Sequence, residues 1–280
     1  MMMKKLAIMV ALVLASVALT SCGNEADVPQ NCDIYLLIGQ SNMAGRAELT
    51  EADNEPLEGV WLLNGEDVPE PAHAPMNRYS TIRKRIGMQG YNLGNTFAEV
   101  VGAKSKNPVL IVCNARGGSS LNMWLKDAKD LTFSKKDGDD EHLWGQPMPR
   151  PFDEAVRRCK EAMKYGTLKA IIWHQGGSDS SEKAVKVYLP KLQIFVNDLR
   201  EALGVGAEVP FIAGELYHGH RNSLTFNPMI CHIGDYVEEG YWVSAEGCTV
   251  KSDNLHFDRA GLNLLGERYA AKLFEVLGIE

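Results

Sequence analysis

Short apolar segments of strand length recur along the chain. Most of them are apolar at consecutive positions rather than at alternate ones, which is typical of strands covered by helices on both faces. Six such segments are expected to form strands: residues 34–39, 60–64, 108–115, 169–175, 209–216 and 241–246.

Amphipathic segments with a helical period separate these strands. Pro151 and Gly166 bound the clearest of them, in which apolar residues recur at steps of three and four. Another contains Pro190, which predicts a kink or a division into two helices. The alternation predicts an α/β fold with a mostly parallel sheet between two layers of helices. Helices are expected in residues 95–104, 151–166, 182–204 and 258–278.

Ligands of such folds bind where the parallel strands end at their carboxyl edge. Glycine-bearing stretches follow three of the predicted strands, at residues 39–41, 115–118 and 175–176. The segment 65–92 breaks the alternation, because it is long, polar and contains prolines. Long loops in compact domains are often functional, so we expect this segment to form part of a substrate-binding wall.

The composition is that of a globular protein. The chain has 280 residues, of which 45% are hydrophobic and 23% are charged, so one large domain is expected and two small ones are possible. The formal net charge is −7, which favours neither nucleic acid nor an anionic membrane surface as a partner.

The N-terminus has the layout of a secretory signal. Two lysines precede an apolar run, and the run ends in Leu19-Thr20-Ser21-Cys22, which resembles the lipobox of bacterial lipoproteins. We therefore expect a signal peptide over 1–21, acylation of Cys22, a polar tether over 22–32 and a catalytic domain over 33–280. The protein would be exported to the cell envelope and would contact a membrane only through this anchor. The alternative is an ordinary cleaved signal with an incidental cysteine.

The remaining cysteines are odd in number, which argues against a complete disulfide framework. Cys113 and Cys159 are expected to be buried thiols, and a disulfide between Cys231 and Cys248 remains open. No cysteine or histidine has the spacing of a metal site, so neither a metal nor a cofactor is predicted.

Two short motifs could supply a nucleophile and its base. In GQSNM, residues 39–43, Ser41 follows the first strand, although a lone serine there is more often a turn or cap residue. In DNLH, Asp253 could hold the imidazole of His256 in one tautomer, or it could merely cap the following helix.

Two glycine-bearing loops could supply hydrogen-bond donors. ARGGSSL follows the third predicted core segment, and WHQGGSDS follows the fourth. Their glycines allow a close approach of the backbone to a ligand, and Gln175 offers a side-chain amide. With Ser41, Asp253 and His256, these loops would complete the groups that acyl transfer requires.

The blocks GQSNM, ARGGSSL, WHQGGSDS and DNLHFDRAG closely resemble those of SGNH-type hydrolases, and most closely the sialate O-acetylesterase domain, or carbohydrate esterase family six. The resemblance covers residues 33–275. It implies a three-layer αβα sandwich of flavodoxin-like type with a mostly parallel, five-stranded core sheet, and a serine esterase mechanism without a metal. One departure is Gly177, where the family commonly has glutamate, and it puts the substrate preference in doubt.

The resemblance also implies roles for individual residues. Ser41 corresponds to the nucleophile, His256 to the general base and Asp253 to the residue that orients it. The oxyanion donors would be the backbone N–H groups of Ser41 and Gly118 and the side chain of Gln175. Four further side chains are candidates for substrate binding: Gln40, Asn42, Arg116, which could bind a sugar carboxylate or form a surface ion pair, and His174.

The main hypothesis is an esterase that removes O-acetyl groups from a carbohydrate, such as sialic acid or acetylated xylan, through an acetyl-enzyme intermediate. A second keeps the triad but acts on feruloyl or other polysaccharide esters. A third is a surface glycan-binding lipoprotein that has lost turnover. The oligomeric state is left open.

Overall fold

The computed structural model describes residues 28–85 and 87–279. The predicted signal peptide, Cys22 and the greater part of the predicted tether lie outside these residues. Residues 28–31 are irregular, and the first strand begins at Cys32. In the described part of the chain, no helix is both long and apolar enough to cross a membrane.

A seven-stranded sheet forms the centre of the molecule, with the strand order β3-β2-β4-β1-β7-β8-β9. Its strands are β1 (Cys32–Gly39), β2 (Val60–Leu63), β3 (Pro69–Pro71), β4 (Val109–Ala115), β7 (Gly166–His174), β8 (Phe211–Gly214) and β9 (Gly240–Val243). Two further short strands, β5 (Leu131–Thr132) and β6 (Pro147–Met148), pair as a separate hairpin.

The expectation of a five-stranded core sheet is corrected to seven strands. All six apolar segments form strands, and these pair in parallel. The seventh strand, β3, lies at the edge of the sheet and pairs antiparallel with β2. Its two prolines cannot donate ladder hydrogen bonds and are tolerated because the strand has only one neighbour. An edge strand of this composition has no apolar pattern, so it was not predicted.

Helices cover both faces of the sheet, as predicted for a three-layer αβα sandwich. Alternate residues of the central strand β1 face opposite layers: Ile34 and Leu36 pack in one core, and Tyr35 and Leu37 in the other. The helices are α1 (Ser41–Ala44), α2 (Leu93–Lys104), α3 (Leu121–Trp124), α4 (Pro151–Ala162), α5 (Glu182–Leu203), α6 (Ser223–Ile230) and α7 (Arg259–Leu277).

The longer helices divide between the two layers. Helices α4 and α5 contribute to the core that contains Ile34, and α2 and α7 to the core that contains Tyr35. Pro190 does not divide its segment, because α5 continues through it from Glu182 to Leu203. The predicted break is therefore wrong, and packing of the apolar face outweighs the lost hydrogen bond.

The segment 65–92 is fastened to the carboxyl end of β4. Asn77 is fully buried, and its side chain both accepts from the N–H of Ala115 at 2.8 Å and donates to the carbonyl of Ala115 at 3.1 Å. Ser80 Oγ donates to the same carbonyl at 3.0 Å. These bonds hold the part of the segment after β3, which has no helix or strand, beside the edge of the sheet where ligands are expected.

The five cysteines from Cys32 onward are free thiols. Cys113 and Cys159 are buried, as predicted, and burial raises the pKa of both thiols to about 12. Cys231 and Cys248 are not bonded to one another, so the disulfide left open by the sequence is absent.

Candidate active site

A cavity of about 370 Å³ opens at the carboxyl edge of the sheet. Ser41 and His256, more than 200 positions apart in the chain, both line it. The glycine loop after β4 reaches the same cavity with Gly117 and Gly118. Residues that the sequence assigned to one reaction are therefore brought together by the ends of β1 and β4 and by the loop before α7.

Ser41 is held at the end of β1 by a sharp change of direction. Gly39 has a φ of +141°, and a Cβ at this position would lie 2.2 Å from the carbonyl oxygen of His174. Only glycine allows the adjoining strands to pack this closely before the chain enters α1 at Ser41. The Ser41 hydroxyl and backbone N–H make no hydrogen bond with any described residue.

Asp253 orients His256. The imidazole Nδ1 of His256 lies 2.7 Å from Asp253 Oδ2, and Asp253 Oδ1 accepts the backbone N–H groups of Leu255 and His256 at 3.0 and 2.9 Å. Burial disfavours the charged carboxylate, but the hydrogen bonds from His256 and Leu255 outweigh it and lower the pKa of Asp253 to about 2. The carboxylate is thus ionised at neutral pH and can stabilise an imidazolium.

This pairing leaves Nε2 of His256 as the ring nitrogen that can accept a proton. No hydrogen bond joins the imidazole to Ser41 Oγ in this structure, although both side chains line one cavity. Such contacts are often long in the absence of substrate and shorten in the complex.

Asn42 connects the two halves of the site. Its side chain is buried, and Oδ1 accepts the backbone N–H of Phe257 at 3.2 Å. Nearby, Lys251 Nζ donates to the carbonyl of Arg46 at 2.7 Å. Asn42 does not line the cavity, and its amide oxygen holds the loop of His256 against the segment of Ser41, so its role in substrate binding stays a prediction.

Gly118 has the geometry of a backbone donor. It is exposed to the cavity with a φ of +70°, and its N–H has no hydrogen-bond acceptor among residues 28–85 and 87–279. This conformation is accessible to glycine at little cost. The N–H groups of Ser41 and Gly118 thus both lack an acceptor among the described residues, and their role as oxyanion donors, which the resemblance implies, stays a prediction.

Gln175 does not face the cavity and is not placed to be an oxyanion donor. Its side-chain nitrogen donates to Ser119 O at 3.0 Å and to Asp179 Oδ2 at 2.6 Å, and its oxygen accepts from the hydroxyl of Tyr188 at 2.7 Å. The residue is 1% exposed. Its amide therefore braces the two glycine-bearing loops against each other, and both of its N–H groups are already used.

Arg116 and His174 are also buried beneath the site, so their predicted substrate contacts are corrected. Arg116 is 2% exposed and pairs with buried Asp139 at 2.7 Å, which leaves it no access to a sugar carboxylate. His174 is fully buried, and its Nδ1 lies 3.1 Å from the hydroxyl of Tyr269. Burial lowers the pKa of His174 to about 4.

Gln40 does line the cavity. Its Oε1 accepts the backbone N–H groups of Gly176 and Ser178, each at 3.4 Å, so the amide nitrogen remains for a ligand. A Cβ at Gly177 would lie 2.8 Å from that nitrogen. A glutamate at position 177, as in the family pattern, would therefore contact this amide, which glycine leaves open.

Two cations in the cavity wall were missed by the sequence analysis. A Cβ at Gly117 would lie 2.2 Å from Arg46 Nη2, and a Cβ at Gly118 would lie 3.1 Å from Lys84 Nζ. Neither forms an ion pair with a described residue. Burial lowers the pKa of Arg46, and burial together with the charge of Arg116 lowers that of Lys84. Both belong to polar stretches with no distinguishing pattern.

No group of three histidine, cysteine, aspartate or glutamate side chains is arranged to hold a metal ion within the described ranges. His218 instead pairs with Glu215 at 2.6 Å. The site consequently offers a hydroxyl, an oriented imidazole, backbone N–H donors and two cations, which are groups suited to acyl transfer on an anionic molecule.

The chain is similar in sequence and fold to known proteins. A probable carbohydrate esterase of Arabidopsis thaliana is 26% identical over 250 residues, which cover 83% of this chain and 86% of the relative. The X-ray structure of that Arabidopsis protein has a TM-score of 0.72 at 22% identity, covering 88% of this chain and 99% of the other.

Two further structures share the fold. The structure of NanS has a TM-score of 0.62 at 15% identity, and the match covers 90% of this chain and 99% of the NanS chain. A carbohydrate acetylesterase from Xanthomonas citri has a TM-score of 0.59 at 16% identity, covering 89% of this chain and 57% of its own. A family model described as carbohydrate esterase, sialic acid-specific acetylesterase, matches residues 31–275. The chain therefore belongs to this family of carbohydrate esterases, as its sequence blocks predicted.

Proposed function

We propose that the protein is a serine esterase that removes O-acetyl groups from a carbohydrate through an acetyl-enzyme intermediate. One observation carries the proposal: Ser41 lines the same cavity as the imidazole of His256, which Asp253 holds at 2.7 Å. The available N–H groups of Ser41 and Gly118 complement this pair, because they can bind the oxyanion that forms at the acetyl carbonyl.

The reaction proceeds in two halves. His256 Nε2 accepts the proton of Ser41 Oγ as that oxygen attacks the acetyl carbon, and the N–H groups of Ser41 and Gly118 bind the resulting oxyanion. The bond between the acetyl carbon and the sugar oxygen then breaks, and His256 returns the proton to that oxygen. In the second half, His256 takes a proton from water as the water oxygen attacks the acetyl carbon of the acetyl-serine. The bond between the acetyl carbon and Ser41 Oγ then breaks, His256 returns the proton to Ser41 Oγ, and acetic acid leaves and ionises to acetate.

We further propose that the acetylated sugar carries a carboxylate, as sialic acid does, in preference to a neutral xylan unit. Arg46 Nη2, Lys84 Nζ and Gln40 Nε2 converge on a floor made by Gly117, Gly118 and Gly177. All three groups are hydrogen-bond donors, and Arg46 and Lys84 carry positive charge. Neither cation has a carboxylate within ion-pair distance among the described residues, although Lys84 Nζ donates to the carbonyl of Asp137 and Asp137 also lines the cavity. A carboxylate would satisfy them, because charge-assisted hydrogen bonds are the strongest kind in such a site.

The test is acetate release from O-acetylated sialosides and from acetylated xylan. Wild type should hydrolyse the sialosides, and Ser41→Ala should abolish turnover, whereas Ser252→Ala, a change of an exposed serine on the loop of Asp253, should not. Ferulate release without acetate release would favour a feruloyl esterase. Glycan binding with no hydrolysis even of a small acetyl ester would overturn the enzymatic proposal.

The carboxylate is tested separately with Arg46→Gln. The variant should raise KM for the sialosides about tenfold or more, the loss expected for one charge-assisted contact, and change little for neutral acetylated xylan. An equal effect on both substrates would contradict the assignment.

We also propose that Cys22 carries a lipid anchor that holds the exported domain at a membrane, as the lipobox-like sequence suggests. Wild type should fractionate with membranes, and Cys22→Ser should not. Equal partitioning of the two would contradict the anchor.

A further inference from the structure

A second cavity, of about 440 Å³, lies beside the active-site cavity. The two share a wall, because neighbouring residues of the same segments line them. Lys84 and Asp137 line the active-site cavity, whereas Arg83 and Asp140 line the second. The buried ion pair of Arg116 with Asp139 braces this wall from within.

The lining of the second cavity combines aromatic rings with polar groups. Tyr79, Phe133 and Leu143 supply apolar surface. The His142 imidazole has no hydrogen bond with the described chain, and Arg83 uses only Nη1, which donates to the carbonyls of Arg78 and Ser80. Sugars match such a lining, since their C–H faces pack on aromatic rings and their hydroxyls pair with a few polar groups.

We propose that this cavity binds the sugar unit next to the acetylated one in a glycan chain. The inference rests on the proposed esterase function. It commits to a sugar of the same chain because Arg83 and Lys84, which are adjacent in sequence, line one cavity each, so a glycan chain held at Ser41 has only a narrow rim to cross. Its consequence is a preference for acetylated oligosaccharides over the acetylated monosaccharide.

Gly65 gives a graded test from the exposed rim. A Cβ at Gly65 would lie 3.4 Å from Cδ1 of the Tyr79 ring, an ordinary contact, so alanine fits and a larger side chain extends over the ring. We expect kcat/KM for the oligosaccharide, divided by that for the monosaccharide, to fall about tenfold in Gly65→Leu and less in Gly65→Ala. Each rate is normalised to the same enzyme's hydrolysis of 4-nitrophenyl acetate, which measures active protein.

His142→Ala should lower the same ratio several-fold by removing a polar contact. His232→Ala is the matched control, because His232 is also exposed but lies outside both cavities. The subsite would be overturned if wild type hydrolysed the oligosaccharide and the monosaccharide with equal kcat/KM and Gly65→Leu did not change that ratio. Absence of hydrolysis of every ester by wild type would instead overturn the proposed function on which the subsite rests.

Discussion

Two carboxylate–histidine pairs lie in loops at the carboxyl edge of the sheet, and they have the same spacing in sequence. Asp253 pairs with His256 at 2.7 Å, and Glu215 pairs with His218 at 2.6 Å. Each histidine follows its carboxylate by three residues. By spacing alone, ELYH and DNLH are alike, and only DNLH belongs to a block that resembles the esterase family.

The two pairs differ in which ring nitrogen is held. His256 binds Asp253 through Nδ1, which leaves Nε2, the nitrogen far from the backbone, to face the cavity. His218 binds Glu215 through Nε2, and its remaining nitrogen lies close to its own backbone. His218 does not line the cavity that contains Ser41. A carboxylate–histidine contact can serve in catalysis only when the free ring nitrogen is presented to a nucleophile.

The carboxylates differ as well. Glu215 is buried, and its Oε2 also accepts from Ser244 Oγ at 2.8 Å and from the N–H of Ala245 at 2.9 Å. These bonds fasten the chain after β8 to the chain after β9. Glu215 therefore has a structural task that Asp253, whose contacts stay within its own loop, does not have.

The largest difference between the two pairs should appear when each histidine is removed. His256→Ala should lower kcat by about 10⁴-fold, the loss typical of removing a general base, whereas His218→Ala should stay within a few-fold of wild type. Initial rates on an acetylated sialoside measure both. Comparable losses in the two variants would show that His218 acts in the reaction.

The next largest effect should come from neutralising each carboxylate. Asp253→Asn should lower kcat by about 10³- to 10⁴-fold, because the amide no longer favours the required tautomer or the imidazolium. Glu215→Gln should mainly reduce the free energy of unfolding, by about 1–3 kcal/mol, by weakening a buried hydrogen-bond network. Denaturant unfolding and steady-state kinetics separate the two effects. A loss of stability without a loss of rate in Asp253→Asn would contradict the assignment.

Replacing Gln175 distinguishes a structural role of its amide from a role as an oxyanion donor. Gln175→Ala should reduce the free energy of unfolding by about 1–3 kcal/mol, because Asp179 and Ser119 lose a buried donor. Its kcat, measured on the folded fraction, should fall less than the ~100- to 1000-fold expected for loss of an oxyanion donor. A loss in that larger range with unchanged stability would restore the role that the sequence suggested.

The last prediction concerns stability alone and a third histidine, His174, which belongs to neither pair. Its pKa is lowered to about 4 in the folded state, so between about pH 6.5 and pH 4 the unfolded chain binds the extra proton. Stability should therefore fall by about 1.4 kcal/mol per pH unit as the pH drops through this window. His174→Asn retains a donor toward Tyr269 and should flatten that slope in denaturant titrations. An unchanged slope would contradict the assignment.

Most of the fold was predictable from the sequence, which also supplied the prediction of the reacting groups. Consecutive apolar positions identified six strands of the sheet, because strands buried on both faces must be apolar throughout. Ser41, Asp253 and His256 were predicted from the resemblance of short blocks to those of a known family, because residue type and spacing alone left a turn serine and a helix cap as alternatives. The edge strand Pro69–Pro71 carried no such pattern and was missed.

Which polar side chains face the cavity became clear only from the tertiary structure. Arg116 and Gln175 follow buried strands and His174 ends one, as a binding residue would, yet packing from distant segments covers each of them. Arg46 and Lys84 became candidates for ligand binding through their positions over Gly117 and Gly118. Burial and hydrogen-bond partners arise between segments far apart in the chain, so the local sequence does not encode them. The same reason separates His256 from His218, which have the same spacing from a carboxylate.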